Sequence, residues 1–178
     1  RSYDGKKITH LTSIAGGNST NEWRKTDQDL WFNAGNNTGV FRYDGQKLDY
    51  LAFPLPKIIN PDDDFHVTGI AKGKDNMLWI GTYAGVFGYD GNQFTTIYDE
   101  SLELKKETEK LHIRSIFEDS KGRLWIGNNG IGVLLKVDNV ISNFSEKHHL
   151  IHPASLRTGD RSPAGTLEHV FAIGEDAE

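Results

Sequence analysis

The chain has 178 residues, 20 basic against 25 acidic, a formal charge of −5, one methionine and no cysteine. The missing cysteine excludes disulfide frameworks, thiolate metal sites and cysteine nucleophiles, and charge spread without a basic stripe gives nucleic acid no footprint. No run of about 18 apolar residues is present to span a membrane as a helix, while 11 % aromatics beside 19 glycines suit short strands and tight turns.

The chain opens at Arg1 inside a pattern that recurs later. Tyr3-Asp4-Gly5 is repeated as Tyr43-Asp44-Gly45 and Tyr89-Asp90-Gly91. With neither an initiator Met nor a signal peptide, the expectation is a processed or excised piece that starts at the end of a repeat. Asp-Gly between alternating runs predicts hairpins with both central residues at positive φ, with a weaker fourth at Asp138-Asn139.

Leu30-Trp31-Phe32-Asn33, Leu78-Trp79-Ile80-Gly81 and Leu124-Trp125-Ile126-Gly127 each precede a Gly-Val pair, and the tryptophans stand 48 and 46 residues apart. Self-similarity at such a period means a solenoid, propeller or array. Ahead of Trp79 and Trp125 lies a further strand, headed in both copies by a histidine thirteen residues before the tryptophan, His66 and His112. The first copy has Trp23 there instead and no such histidine. Four short strands per unit, apolar on both faces at Leu-Trp-Ile, predict an all-β fold: a β-propeller with four-stranded antiparallel blades, present as a partial propeller. Helical repeats are excluded because the apolar runs are short and broken by Gly, Asn and Asp. Gly81 and Gly127 are expected to leave room for the tryptophans.

The expected organisation is one propeller fragment: residues 1–12 end a blade, 13–52, 53–98 and 99–145 are full repeats, and 146–178 hold a linker plus the first strand of the next blade. That strand follows His169, which matches His112, and a next tryptophan would fall just past Glu178. The linker stretch 103–110 is read as a solvated face, and the loop from residue 146, with His148, His149 and His152, as mobile chain rather than a zinc site. Asp62-Asp63-Asp64 lacks the spaced ligands of a calcium loop. No metal and no cofactor are expected.

The stretch from His112 to Gly127 (His-Ile-Arg-Ser-Ile-Phe-Glu-Asp-Ser-Lys-Gly-Arg-Leu-Trp-Ile-Gly), with Gly-Val and Tyr-Asp-Gly in sister copies, resembles the two-component regulator propeller repeat. The resemblance implies a seven-bladed propeller of the kind found in periplasmic sensor regions of bacterial hybrid histidine kinases and in stand-alone relatives, often sensing carbohydrate. It implies a periplasmic or extracellular location and a role in signal transduction. Repeat residues are structural, so it carries over the fold and not the ligand.

Running the strands alternately up and down places the inter-unit linkers and the second-to-third strand loops on one rim, and the Asp-Gly turns on the other. The first rim gathers the candidate ligand-binding residues Asn33, Asn36, Asn37, Thr82, Tyr83, Asn128 and Asn129, with His66, His112 and His169 at the heads of the inner strands. Amides and hydroxyls beside an aromatic ring suit a sugar. The competing explanation is that Asn tolerates positive φ in turns, and that the histidines bond blade to blade. No catalytic residue is assigned. The alternatives are a propeller lyase resembling the streptogramin type, with His112 or His169 and Glu168 as base and acid, and a protein-interaction scaffold; self-association to complete or cover blade edges is a further expectation. The informative positions are those where the copies disagree.

Overall fold

A computed structural model of the chain describes residues 2–3, 8–9, 22–59, 62–99, 102, 110–150 and 170–176. Those residues form two compact units, Arg1–Phe53 and Pro54–Glu178. In the first unit β1 (Ser2–Tyr3) pairs with β2 (Ile8–Thr9), and β3 (Glu22–Thr26), β4 (Asp29–Asn33), β5 (Gly39–Tyr43) and β6 (Leu48–Ala52) form one antiparallel sheet in chain order. In the second unit β7 (Val67–Lys72), β8 (Leu78–Thr82), β9 (Val86–Tyr89) and β10 (Phe94–Ile97) form a second such sheet, and β11 (Ile113–Glu118), β12 (Leu124–Asn128), β13 (Val133–Val137) and β14 (Val140–Asn143) a third. Each is a four-stranded antiparallel meander, the form of a propeller blade. The start of the expected loop after the third sheet is instead a short helix, α1 (Phe144–Lys147), capped by the Asn143 side chain accepting from Glu146 N.

Apolar residues on both faces of β8 and β12 are buried because sheets two and three stack. Trp79, Val86, Ile97, Leu111, Ile113, Leu124, Ile126 and Leu134 share one core, and β11 packs against β7 and β8. Trp79 sits opposite Gly88 across the β8–β9 ladder, and a Cβ at Gly88 would overlap its ring. Gly88, and not Gly81, therefore makes room for this tryptophan. Gly81 and Gly127 serve the next inner strand: a Cβ on Gly81 would meet Ile113 at 3.3 Å, and one on Gly127 would meet Val170 at 2.8 Å.

The seam between sheets two and three is closed at one end by Glu118, whose carboxylate accepts from Lys74 N at 2.6 Å and from Trp79 Nε1. Glu175 does the equivalent one repeat later, accepting from Ser120 N at 2.8 Å and Ser120 Oγ at 2.7 Å. In sheet three Asp119 accepts a hydrogen bond from Trp125 Nε1 at 2.8 Å, whereas Gly73 stands at the matching position of sheet two. Trp79 then reaches across to Glu118.

The Asp-Gly turns differ from expectation in one respect. Gly45 and Gly91 have positive φ (94° and 109°), but Asp44 and Asp90 do not. Each Asp is instead the first turn residue, its Oδ1 accepting from Gln46 N and Lys47 N, or from Asn92 N and Gln93 N. The preceding tyrosine hydroxyl donates to the glycine carbonyl at 2.8 Å in both, which gives a physical reason for Tyr-Asp-Gly as a unit. Among the described residues, the hairpin turn with two successive positive-φ centres is that between β7 and β8, at Asp75 and Asn76 (49° and 67°).

Candidate functional site

Away from the Glu118 clasp, the sheet two and three seam ends at the β8–β9 loop and the head of β11. Ile113 N donates to Tyr83 O at 3.2 Å, tying one blade's inner strand to its neighbour's loop. Just beyond, the β11–β12 register shifts between Ile113 and Ser115, and the β7–β8 register shifts between Val67 and Gly69. Bulges leave a residue outside the ladder and re-aim its side chain. The residues so placed are Thr68 and Arg114.

Three side chains converge there. The rings of Tyr83 and His112 meet edge to face at 4.9 Å. Arg114 Nη1 donates to the Tyr83 hydroxyl at 3.1 Å, and its Cζ lies 4.9 Å from the Tyr83 centroid and 5.8 Å from that of Phe171. Tyr83, His112 and Arg114 are each partly exposed. They offer an aromatic wall, hydroxyl and imidazole groups, and a cation. That combination stacks on a ring and hydrogen-bonds to its substituents.

Other rim candidates are turned inward. Thr82 and Asn128 are fully buried and Asn129 is 1 % exposed. The Thr82 hydroxyl accepts from Gly85 N at 3.0 Å and donates to Gly85 O at 2.9 Å. Asn128 accepts from His112 N at 3.3 Å and donates to Ile126 O at 3.2 Å, and its carbonyl accepts from Val170 N. Asn129 N donates to His112 O at 2.9 Å, while Asn129 Oδ1 is buried without a hydrogen-bond partner. None of these three has positive φ. Their polar groups hold the loops in shape by side-chain to backbone bonds, the alternative these residues offer to a ladder.

In the first unit Asn33 accepts from Gly35 N at 2.8 Å and Asn37 donates to Ala34 O at 3.0 Å, while Asn36 is exposed. His66 is exposed, and its Nδ1 lies 2.5 Å from Asp64 Oδ1. His169, Glu168 and the 103–109 stretch lie outside the described residues, as does His152, while His148 packs its ring on Phe144 at 4.2 Å. Among the described residues no group of three or more His, Cys, Asp or Glu can hold a metal ion, and no helix is long and apolar enough to cross a membrane.

Sequence reasoning found Tyr83 and His112 but missed Arg114. The signal was present, since aligned inner strands carry Thr68, Arg114 and Phe171 at one position, a place where the copies disagree. A bulge is not written in strand periodicity, so this position reads in the sequence as an ordinary strand residue.

Residues 110–130 match the model of the two component regulator propeller family, so the repeat that contains Arg114 is of that kind. No curated protein matches the chain. Among solved structures it is similar to virginiamycin B lyase from Staphylococcus aureus, with 15 % identity, a TM-score of 0.52, and 70 % of this chain and 40 % of that one covered. It is also similar to the extracellular domain of a protein described as a hybrid two component system of B. thetaiotaomicron, at 20 % identity and a TM-score of 0.55, with 80 % of this chain and 20 % of that one covered. The chain thus spans well under half of either structure. At these identities the likeness speaks to fold, and the fold is that of a β-propeller.

Proposed function

We propose that the chain is a non-catalytic, ligand-sensing part of an extracytoplasmic propeller, and that its rim recognises a saccharide. The observation that carries this reading is the Tyr83, His112 and Arg114 cluster at the blade seam, a part-exposed aromatic wall with directional donors beside it. Thr82, Asn128 and Asn129 serve as its supports, and Asn33, Asn36 and Asn37 of the first unit, with His66 and His169, are proposed as ligand-binding residues of their own repeats. The matched repeat and the likeness to a hybrid two component system's extracellular domain favour sensing and an extracytoplasmic location. The partition into repeats at 13–52, 53–98 and 99–145, and self-association that covers open sheet edges, belong to the same proposal.

Glycan-array binding followed by calorimetric titration tests it. Tyr83→Ala should weaken saccharide binding about tenfold or more, the scale of losing one stacking and hydrogen-bonding platform. Unchanged affinity in a folded Tyr83→Ala protein would remove the seam from the site.

A lyase is the second reading, favoured by the pairing of His66 with Asp64, in which a carboxylate orients an exposed imidazole as it would a general base. Turnover of a candidate substrate that is lost in His66→Ala would support it.

A further inference from the structure

Three arginines have described side chains, and two of them are neutralised by a carboxylate. Arg42 forms two bonds of 3.0 Å to Asp29, and Arg123 Nε lies 2.6 Å from Asp119 Oδ2. Arg114 is the exception: among the described residues its guanidinium meets a tyrosine hydroxyl and two aromatic rings and no acid. Its Nε is buried without any hydrogen-bond partner. Other acids of this unit have partners of their own, Asp64 in His66, Glu118 in Lys74 and Trp79, and Glu175 in Ser120.

A guanidinium is charged at every accessible pH, and partial burial without a counter-ion costs free energy that a packing role does not return. Unsatisfied buried groups of this sort call for an explanation. A register shift leaves Arg114 outside the regular ladder, and Tyr83 fixes one edge through Nη1, so the guanidinium is held in orientation before any ligand arrives. An oriented guanidinium that no carboxylate compensates among the described residues, flanked by aromatic rings and with Nε buried, fits a planar anion attached to a ring and met at its Nη groups.

Resting on the saccharide reading, we propose that the ligand is an acidic sugar whose carboxylate pairs with Arg114 while its ring lies against Tyr83. Arg114 thereby selects uronic-acid glycans over neutral ones. The chain's net charge of −5 makes such selection a local matter of this one cation, with little help from the overall field.

The test uses the whole chain and pairs of probes: oligogalacturonides and the same oligosaccharides after carboxyl reduction, titrated at low and high salt. Oligogalacturonides should bind about tenfold or more tightly than their reduced partners, as one charge-assisted hydrogen-bonded pair implies, and the difference should shrink with salt. Arg114→Gln should erase the preference, and Arg114→Lys should restore part of it, with thermal unfolding showing that both variants fold. Binding of neutral and acidic probes alike, or a preference that survives Arg114→Gln, overturns the assignment of Arg114 and leaves the saccharide reading standing. Binding of reduced sugars that Tyr83→Ala abolishes, with no gain from the carboxylate, has the same meaning. If neither these probes nor any glycan on an array binds, the saccharide reading itself falls.

Discussion

Asp119 shows how one carboxylate organises a turn. The residue is 5 % exposed and its carboxylate accepts from Lys121 N, Arg123 N, Arg123 Nε and Trp125 Nε1. Burial by itself would raise its pKa, but the bonds from Trp125, Arg123 and Lys121 outweigh it and hold the group at about 2, below the ordinary 3.8. A depressed folded pKa gives stability that is present above the unfolded value and lost as pH falls through the folded one. Thermal unfolding temperature should therefore drop as pH is lowered from about 4 to about 2, and Asp119→Asn should flatten part of that drop while costing about 1–3 kcal/mol at neutral pH. Asp44 and Asp90 are lowered by backbone N–H bonds, first from Lys47 and Gln93 respectively, and act in the same direction. Gly88→Ala is a second residue-scale prediction: its methyl group collides with the Trp79 ring, and the overpacking should cost about 1–3 kcal/mol in denaturant titration. At this scale the sequence made the Tyr-Asp-Gly unit visible but misplaced its turn centre. The aspartate works through its side chain, and φ preferences alone do not show that.

At the scale of elements, the 46- to 48-residue period located all three four-stranded sheets, because alternation and glycine punctuation are local properties. What joins the sheets was not legible. The Glu118 clasp depends on Gly73 being small and on Trp79 lacking its own acid, a relation between residues about 40 positions apart. Glu118→Ala leaves Lys74 N and Trp79 Nε1 without their acceptor. It should lower stability by about 1–3 kcal/mol and shift Trp79 fluorescence, whereas in sheet three Trp125 keeps its bond to Asp119. An unchanged tryptophan spectrum in Glu118→Ala would show that the clasp is not formed in solution. The candidate site was half legible for a related reason. Tyr83 and His112 stand at repeat landmarks, but Arg114 is re-aimed by a bulge that only strand pairing reveals.

At the scale of the molecule, labour is divided between positions where the repeats agree and those where they differ. Shared residues such as Leu78, Ile80, Leu124 and Ile126 are buried and supply the core, while Tyr83 and Arg114 stand where sister copies carry Asn129, Thr68 and Phe171. The second and third sheets, alike in their core residues, thus present one unlike cluster at their shared seam. The central claim is that this seam is where ligand is met. Hydrogen–deuterium exchange of the intact chain, with and without a saturating glycan found on the array, tests it most directly. The account predicts slowed exchange in 82–85 and 111–115, with the turns at 90–93 and 119–123 unchanged. Protection confined to those turns, or none at either end with ligand bound, would contradict it.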